Sequence, residues 1–226
     1  MTLTTRIFAW LAIVAACLPG GLGGSRAGKP ARSAPQEPTT TAAWAESAEA
    51  VDAESPQPAA PPYWSDGFER AGRTPAQPEG WHYLRGGGLA EDSAVPQGQR
   101  CLAFTADSPG RDAEIRRLVP LAGLDAGGLT IAVWVRLADA APGQFLEQRP
   151  ALTIDFLDAR GESLGRRRLG PWQGTFGWTR FAETFPLPPG AVTAMLRIGL
   201  FGATGEAAFD AVEIRPAAVN PSVFPR

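Results

Sequence analysis

Any catalysis by this chain has to rest on carboxylates. The sequence holds one histidine, His82, and one lysine, Lys29, among 226 residues, so imidazole relays and lysine Schiff bases in the body are excluded. Glu49, Asp52 and Glu54 form an acidic cluster, but their Ala- and Pro-rich surroundings supply no rigid element to hold two carboxylates across a glycosidic bond. Gly161-Glu162-Ser163-Leu164-Gly165 fits the nucleophile-elbow pattern. That elbow needs a strand followed by a helix, with the histidine after the serine. Here Asp158-Ala159-Arg160-Gly161 reads as a hairpin turn and His82 comes earlier. His82, between Trp81 and Tyr83, reads as a packing or surface residue, and no Cys/His spacing suits a metal. Asp155 is the one credible cleft acid, which leaves binding as the expected task.

Binding chemistry is carried by strand alternation. In the run 129–137, Ile131, Val133, Val135 and Leu137 share one face, and Trp134 and Arg136 the other. In 151–157, Leu152, Ile154 and Phe156 oppose Asp155; in 191–201, Leu196 and Ile198 oppose Met195 and Arg197. If these strands lie in one sheet, Trp134, Arg136, Asp155, Met195 and Arg197 converge on its outer surface. An aromatic plate ringed by charged hydrogen-bonding groups is the composition of a sugar-recognising face; an ordinary solvated sheet is the plainer alternative. Trp172 and Phe176 lie in a Gly-rich loop from which a ring could reach a ligand.

The elements that must position these groups are strands. Glycine and proline make up 26 and 22 residues, too many for a helix-dominated protein. Short alternating runs at 99–105, 114–121, 129–137, 151–157, 163–169, 179–185, 191–201 and 207–214 predict an all-β sandwich of eight or more antiparallel strands. A formal charge of −2 argues against a nucleic-acid partner. Cys101 reads as a buried strand residue packing as a small hydrophobe.

Before the sandwich, the order of Arg6, the apolar run Ile7 to Leu18 and the Gly-rich patch 20–24 reads as an export signal over 1–27. The run is too short for a transmembrane helix. Val14-Ala15-Ala16-Cys17 resembles a bacterial lipobox, which makes Cys17 a lipidation candidate beside simple cleavage after Ala27. Residues 28–62, with 7 proline and 10 alanine, read as a disordered tether; 63–216 is the folded body and 217–226 a loose tail.

Asp66-Gly67-Phe68-Glu69, then Gly98-Gln99-Arg100-Cys101-Leu102-Ala103-Phe104, then 129–136, Trp178-Thr179-Arg180-Phe181 and the close Ala207-Ala208-Phe209-Asp210-Ala211-Val212 come in a telling order. The chain resembles carbohydrate-binding modules of the galactose-binding-like jelly-roll type, in particular xylan- and glucan-binding ones. The resemblance implies a jelly-roll fold, no catalysis, a polysaccharide or glycan partner and a core position for Trp178. It also implies a structural Ca²⁺ on Glu69 and Asp210, with Glu91 or Asp92 as weak candidates for a third acid; the close lacks the second Asp that the family often carries. The expectation is thus an exported, monomeric, non-catalytic binding module of the periplasm, cell envelope or extracellular space. The alternative is an envelope structural or protein-interaction sandwich with no sugar site.

Overall fold

A computed structural model describes residues 61–145 and 147–218. The expected export signal, Cys17 and nearly all of the tether and tail lie outside the described residues. Ten strands form: β1 Trp64–Asp66, β2 Gly87–Glu91, β3 Arg100–Ala106, β4 Glu114–Pro120, β5 Gly128–Ala141, β6 Ala151–Leu157, β7 Ser163–Leu169, β8 Gly174–Pro186, β9 Thr193–Gly199 and β10 Thr204–Ala217. The eight alternating runs correspond to β3 through β10. β1 and β2, of 3 and 5 residues, are too short and too rich in Gly and Ser to show alternation.

The strands make two antiparallel sheets in a jelly-roll β-sandwich. One runs β2-β3-β10-β5-β8, with β1 also paired to β10; the other runs β4-β9-β6-β7. The core lies between them. From β5 it takes Ile131, Val133, Val135 and Leu137, from β6 Leu152, Ile154 and Phe156, and from β9 Leu196 and Ile198, all essentially inaccessible. Removing each such side chain from water contributes roughly 1.5–3 kcal/mol before chain entropy is charged against it. Among the described residues, no helix is long and apolar enough to cross a membrane.

One irregularity governs the end of the chain's longest pairing. The register of β10 on β5 slips between Asp210 and Glu213, where Ala211 takes a φ of 45°. The bulge lets Ala207 and Phe209 before it, and Val212 and Ile214 after it, all enter the core, which strict alternation forbids. It also turns the buried Asp210 carboxylate out of the ladder toward Gln97.

The Asp66-Gly67-Phe68-Glu69 corner is built from its own side chains. Asp66 Oδ1 accepts the Phe68 N–H at 2.8 Å and Oδ2 accepts the Trp81 Nε1–H at 2.8 Å. Phe68 and Trp81 are both fully buried, with ring centroids 5.5 Å apart. Glu69 stands outside and accepts the N–H groups of Gln99 and Arg100, both at 2.9 Å. Gly98 is required beside it: its φ is 70°, and a Cβ there would lie 2.2 Å from Glu69 Oε1.

Candidate functional site

The expected convergence on one sheet does not occur. Trp134 and Arg136 lie on β5 in the larger sheet, while Asp155 on β6 and Arg197 on β9 lie in the smaller one. Alternation fixes which residues of a strand share a face, not which strands share a sheet. Since each pair points away from the core, the sandwich sets the two pairs on opposite outer surfaces.

On the larger sheet, Arg136 lies over the Trp178 ring at 5.2 Å and forms an ion pair with Asp92 at 2.5 Å. Trp134 is half-buried in the same face, between Asp210 on β10 and Arg180 on β8 in register. Trp178 is therefore on an outer face rather than in the core. Trp172 makes the opposite exchange. It is 7% exposed, with its ring 5.1 Å from Phe181 and 6.2 Å from Phe209, and Phe176 lies against Phe181 at 5.8 Å. The loop turns Trp172 into the core, and Phe176 lies on β8 opposite Leu137 and packs against that core, so neither reaches out from a loop.

The outer face of the smaller sheet is the more highly organised surface. Glu114, 1% exposed, accepts from Arg116 through Oε1 at 2.6 and 2.8 Å and from Arg197 through Oε2. Asp155, 4% exposed, accepts from the Ser163 hydroxyl at 2.5 Å and from Arg166 at 2.8 Å. Burial pushes the Asp155 carboxyl up, but Ser163, Arg166 and the charge of Arg197 outweigh it and hold the group below the usual carboxylate range. An acid so held is ionised at neutral pH and is unsuited to donate a proton to a leaving group. Ser163, the serine of the elbow-like motif, sits on β7 after a hairpin turn and serves this carboxylate.

Two aromatic rings flank that face. Tyr83 lies beneath Arg116 and Arg85, with centroid distances of 4.0 and 4.8 Å, and Phe201 is approached by Arg197 and Arg168 at 5.3 and 6.0 Å. Both residues take a left-handed backbone, with φ of 58° and 51°. That is a rare conformation for an aromatic residue, of the kind that gathers at ligand sites. Tyr83 stays 43% exposed and Leu118, on the same sheet face, 55%. Sequence reasoning missed Tyr83, Arg116 and Glu114 and gave Phe201 no role, although alternation in 191–201 sets Phe201 on the face of Met195 and Arg197. Glu114 and Arg116 at alternate positions of one strand were a usable signal, whereas Tyr83 gave none.

Glu69 and Asp210, the expected calcium ligands, come within electrostatic reach of one another. Desolvation raises the Asp210 carboxyl to about 6; the N–H groups of Gln97 and Ala211 work against this, and the charges of Glu69 and Asp66 add to it. Backbone N–H groups already occupy both carboxylates: Gln97 and Ala211 on Asp210 at 2.8 and 2.7 Å, Gln99 and Arg100 on Glu69. The acids expected to complete a cage are engaged too, Asp92 with Arg136 and Glu91 with Arg100 at 3.8 Å. Among the described residues no group of three or more His, Cys, Asp or Glu side chains is arranged for a metal. The carboxylates fit a role in holding the 92–99 loop better than they fit a calcium cage of six to eight oxygens.

No family model matches the sequence, and no curated protein matches it. Among solved structures the chain is similar to the enzymatically active domain of bacteriophage CBA120 tailspike protein 4, with 13% identity, 61% of this chain and 19% of that one covered, and a TM-score of 0.46. It is similar to the CBM22-1–GH10 modules of a Clostridium thermocellum endo-1,4-β-D-xylanase complexed with xylohexaose, with 20% identity, 62% and 26% coverage, and a TM-score of 0.45. A third likeness is the CBM22-1 xylan-binding domain from Paenibacillus barcinonensis, with 16% identity, 70% and 95% coverage, and a TM-score of 0.46. The chain spans about a fifth of the first of these and about a quarter of the second. At these identities and TM-scores no residue role transfers to this chain.

Proposed function

We propose that the chain is a non-catalytic polysaccharide-binding module whose site is the outer face of the β4-β9-β6-β7 sheet. The observation that carries this reading is the pair of rings, Tyr83 and Phe201, held in left-handed backbone beside Arg116 and Arg197, which the shared Glu114 carboxylate locks in place. Sugars are recognised by an aromatic ring against their apolar face and by rigid charged groups around their hydroxyls, and this surface offers both without reorganisation. No acid on the face is free for catalysis, since Glu114 and Asp155 are each saturated by arginine.

Trp134 and Arg136, on the opposite surface, belong to a different patch and are assigned no sugar contact in this reading. Export, with cleavage after Ala27 or acylation at Cys17, is part of the same proposal and rests on the apolar run and lipobox-like residues alone. Mass analysis of the mature chain decides between cleavage and acylation.

The test is affinity electrophoresis of the whole chain through gels containing plant, algal and bacterial polysaccharides. Xylan belongs in the panel because one of the similar folds is a xylan-binding domain. Retardation by one polysaccharide class, lost on Tyr83→Ala and Phe201→Ala and kept on Trp134→Ala, is the expected result. A folded chain retarded by none of them would move the function to the structural or protein-interaction alternative.

A further inference from the structure

Resting on that reading, the structure assigns a chemical class to the ligand: we infer that the β4-β9-β6-β7 face binds a glycan bearing carboxylate groups, with the anion seated among Arg149, Thr153, Arg168 and Arg197.

The first ground is a row of unmet donors. Thr153 on β6 is directly opposite Arg197 on β9 and Arg168 on β7, so the three side chains line up across three neighbouring strands. Thr153 is 8% exposed, and among the described residues its Oγ1 has no hydrogen-bond partner; the buried Nε atoms of Arg197, Arg168 and Arg149 have none there either. Leaving a buried polar atom unpaired is costly, and a row of three, with Arg149 beside Arg168, points to a partner that arrives from outside.

The second ground is charge. Glu114 answers Arg116 and Arg197, and Asp155 answers Arg166, but no carboxylate lies within ion-pair distance of Arg149 or Arg168 among the described residues. Arg168 is instead fixed by Nη2 to the carbonyls of Glu147 and Arg149, at 2.9 and 2.8 Å. Burial, and then the charge of neighbouring Arg149, lowers its affinity for its own proton, with the charge of Glu147 working against both. Two adjacent guanidinium groups with no carboxylate in ion-pair contact among the described residues, one of them anchored and half-buried, form a fork suited to a planar carboxylate. Phe201, within 6.0 Å of both Arg168 and Arg197, supplies the apolar surface for the sugar ring that carries it.

The experiment compares retardation of the whole chain in gels holding polygalacturonate, its fully methyl-esterified form, dextran sulfate and polyglutamate. Esterification keeps the sugar backbone and removes only the charge. The expected result is strong retardation by polygalacturonate, weakened about tenfold by esterification, as loss of charge-assisted hydrogen bonds implies. Thr153→Val, which keeps shape and removes the unpaired hydroxyl, should weaken it by a similar factor while leaving the melting temperature unchanged or raised. Arg149→Gln, at a side chain that makes no hydrogen bond among the described residues, should weaken it and flatten its salt dependence. Equal retardation by the ester and the acid, or Thr153→Val without effect, overturns the carboxylate site while polysaccharide binding stands. Preference for dextran sulfate reassigns the seat to sulfate esters, and equal capture by polyglutamate to an acidic polypeptide; both overturn the inference. No retardation by any of these or by the neutral polysaccharides overturns the binding reading itself.

Discussion

The carboxylate of Asp210 is bound by the backbone N–H of Gln97 at 2.8 Å, across 113 residues of chain. It is fully buried, and its pKa is raised to about 6 from 3.8. Between those values the folded state holds a proton that the unfolded chain has released, so stability falls as pH rises through that window. The contribution is fully present below about pH 4 and lost above about pH 6, with an upper bound of about 3 kcal/mol. Asp155 acts in the opposite sense, because its lowered pKa gives stability above its unfolded value that is lost as acid protonates it. Denaturant melts at pH 5 and pH 7.5 should show greater stability at pH 5, and Asp210→Asn should shrink the difference.

Calcium should matter little to this fold. The N–H groups of Gln97, Ala211, Gln99 and Arg100 already donate to the carboxylates of Asp210 and Glu69, and Arg136 pairs with Asp92. The melting temperature in excess chelator is expected to match that in millimolar Ca²⁺. A rise of several degrees with Ca²⁺ would restore a metal to Glu69 and Asp210.

Glu114 joins two arginines on neighbouring strands while itself out of water. Glu114→Ala leaves Arg197 without its carboxylate in a half-buried position and should cost roughly 3 kcal/mol, in line with breaking a buried pair. Chemical denaturation reads the loss. A cost below about 0.5 kcal/mol would class the pair with exposed ion pairs.

The two indoles most prominent in the sequence should respond in opposite ways. Trp172→Ala removes a ring packed on Phe181 and Phe209 and should destabilise by roughly 3–5 kcal/mol. Trp134→Ala, at a half-exposed site on the larger sheet, should cost less than half as much and leave glycan retardation unchanged. Unfolding curves of the two variants side by side, with affinity gels for the second, make the comparison.

How far the residues disclose the molecule follows from what each pattern encodes. Period-two alternation in 129–137, 151–157 and 191–201 marked the core faces, and Ile131, Val135, Ile154, Phe156, Leu196 and Ile198 are all inaccessible. Cys101 is buried as expected, and burial raises its thiol to about 11, which leaves it inert near neutral pH. The site was less legible because sheet membership depends on long-range pairing. Nothing local to Trp134 or Asp155 says that β5 joins β8 and β10 while β6 joins β7 and β9. Two tryptophans six residues apart, Trp172 and Trp178, exchanged their expected surroundings: a Gly-rich loop gives Trp172 no period from which to read direction, and Trp178 lies on β8 just before the run 179–185 that showed alternation. The donors of Thr153 and Arg168 were hidden for a related reason: whether a polar atom has a partner is a property of three strands at once.

The pairing of β1 with β10 is antiparallel, with Trp64 opposite Ile214 and Asp66 opposite Val212. Because the strand that enters the sandwich lies beside the strand that leaves it, tension applied through the two flanking segments acts at one end of this short ladder. Its hydrogen bonds then open one after another, as a zipper does, rather than sharing the load in shear. A pulled chain should shed β1 at low force while the remaining sheets stay closed. With that strand peeled away, the face carrying Tyr83 and Phe201 keeps every pairing that holds it, so a module under drag could give up its first strand and still keep its grip.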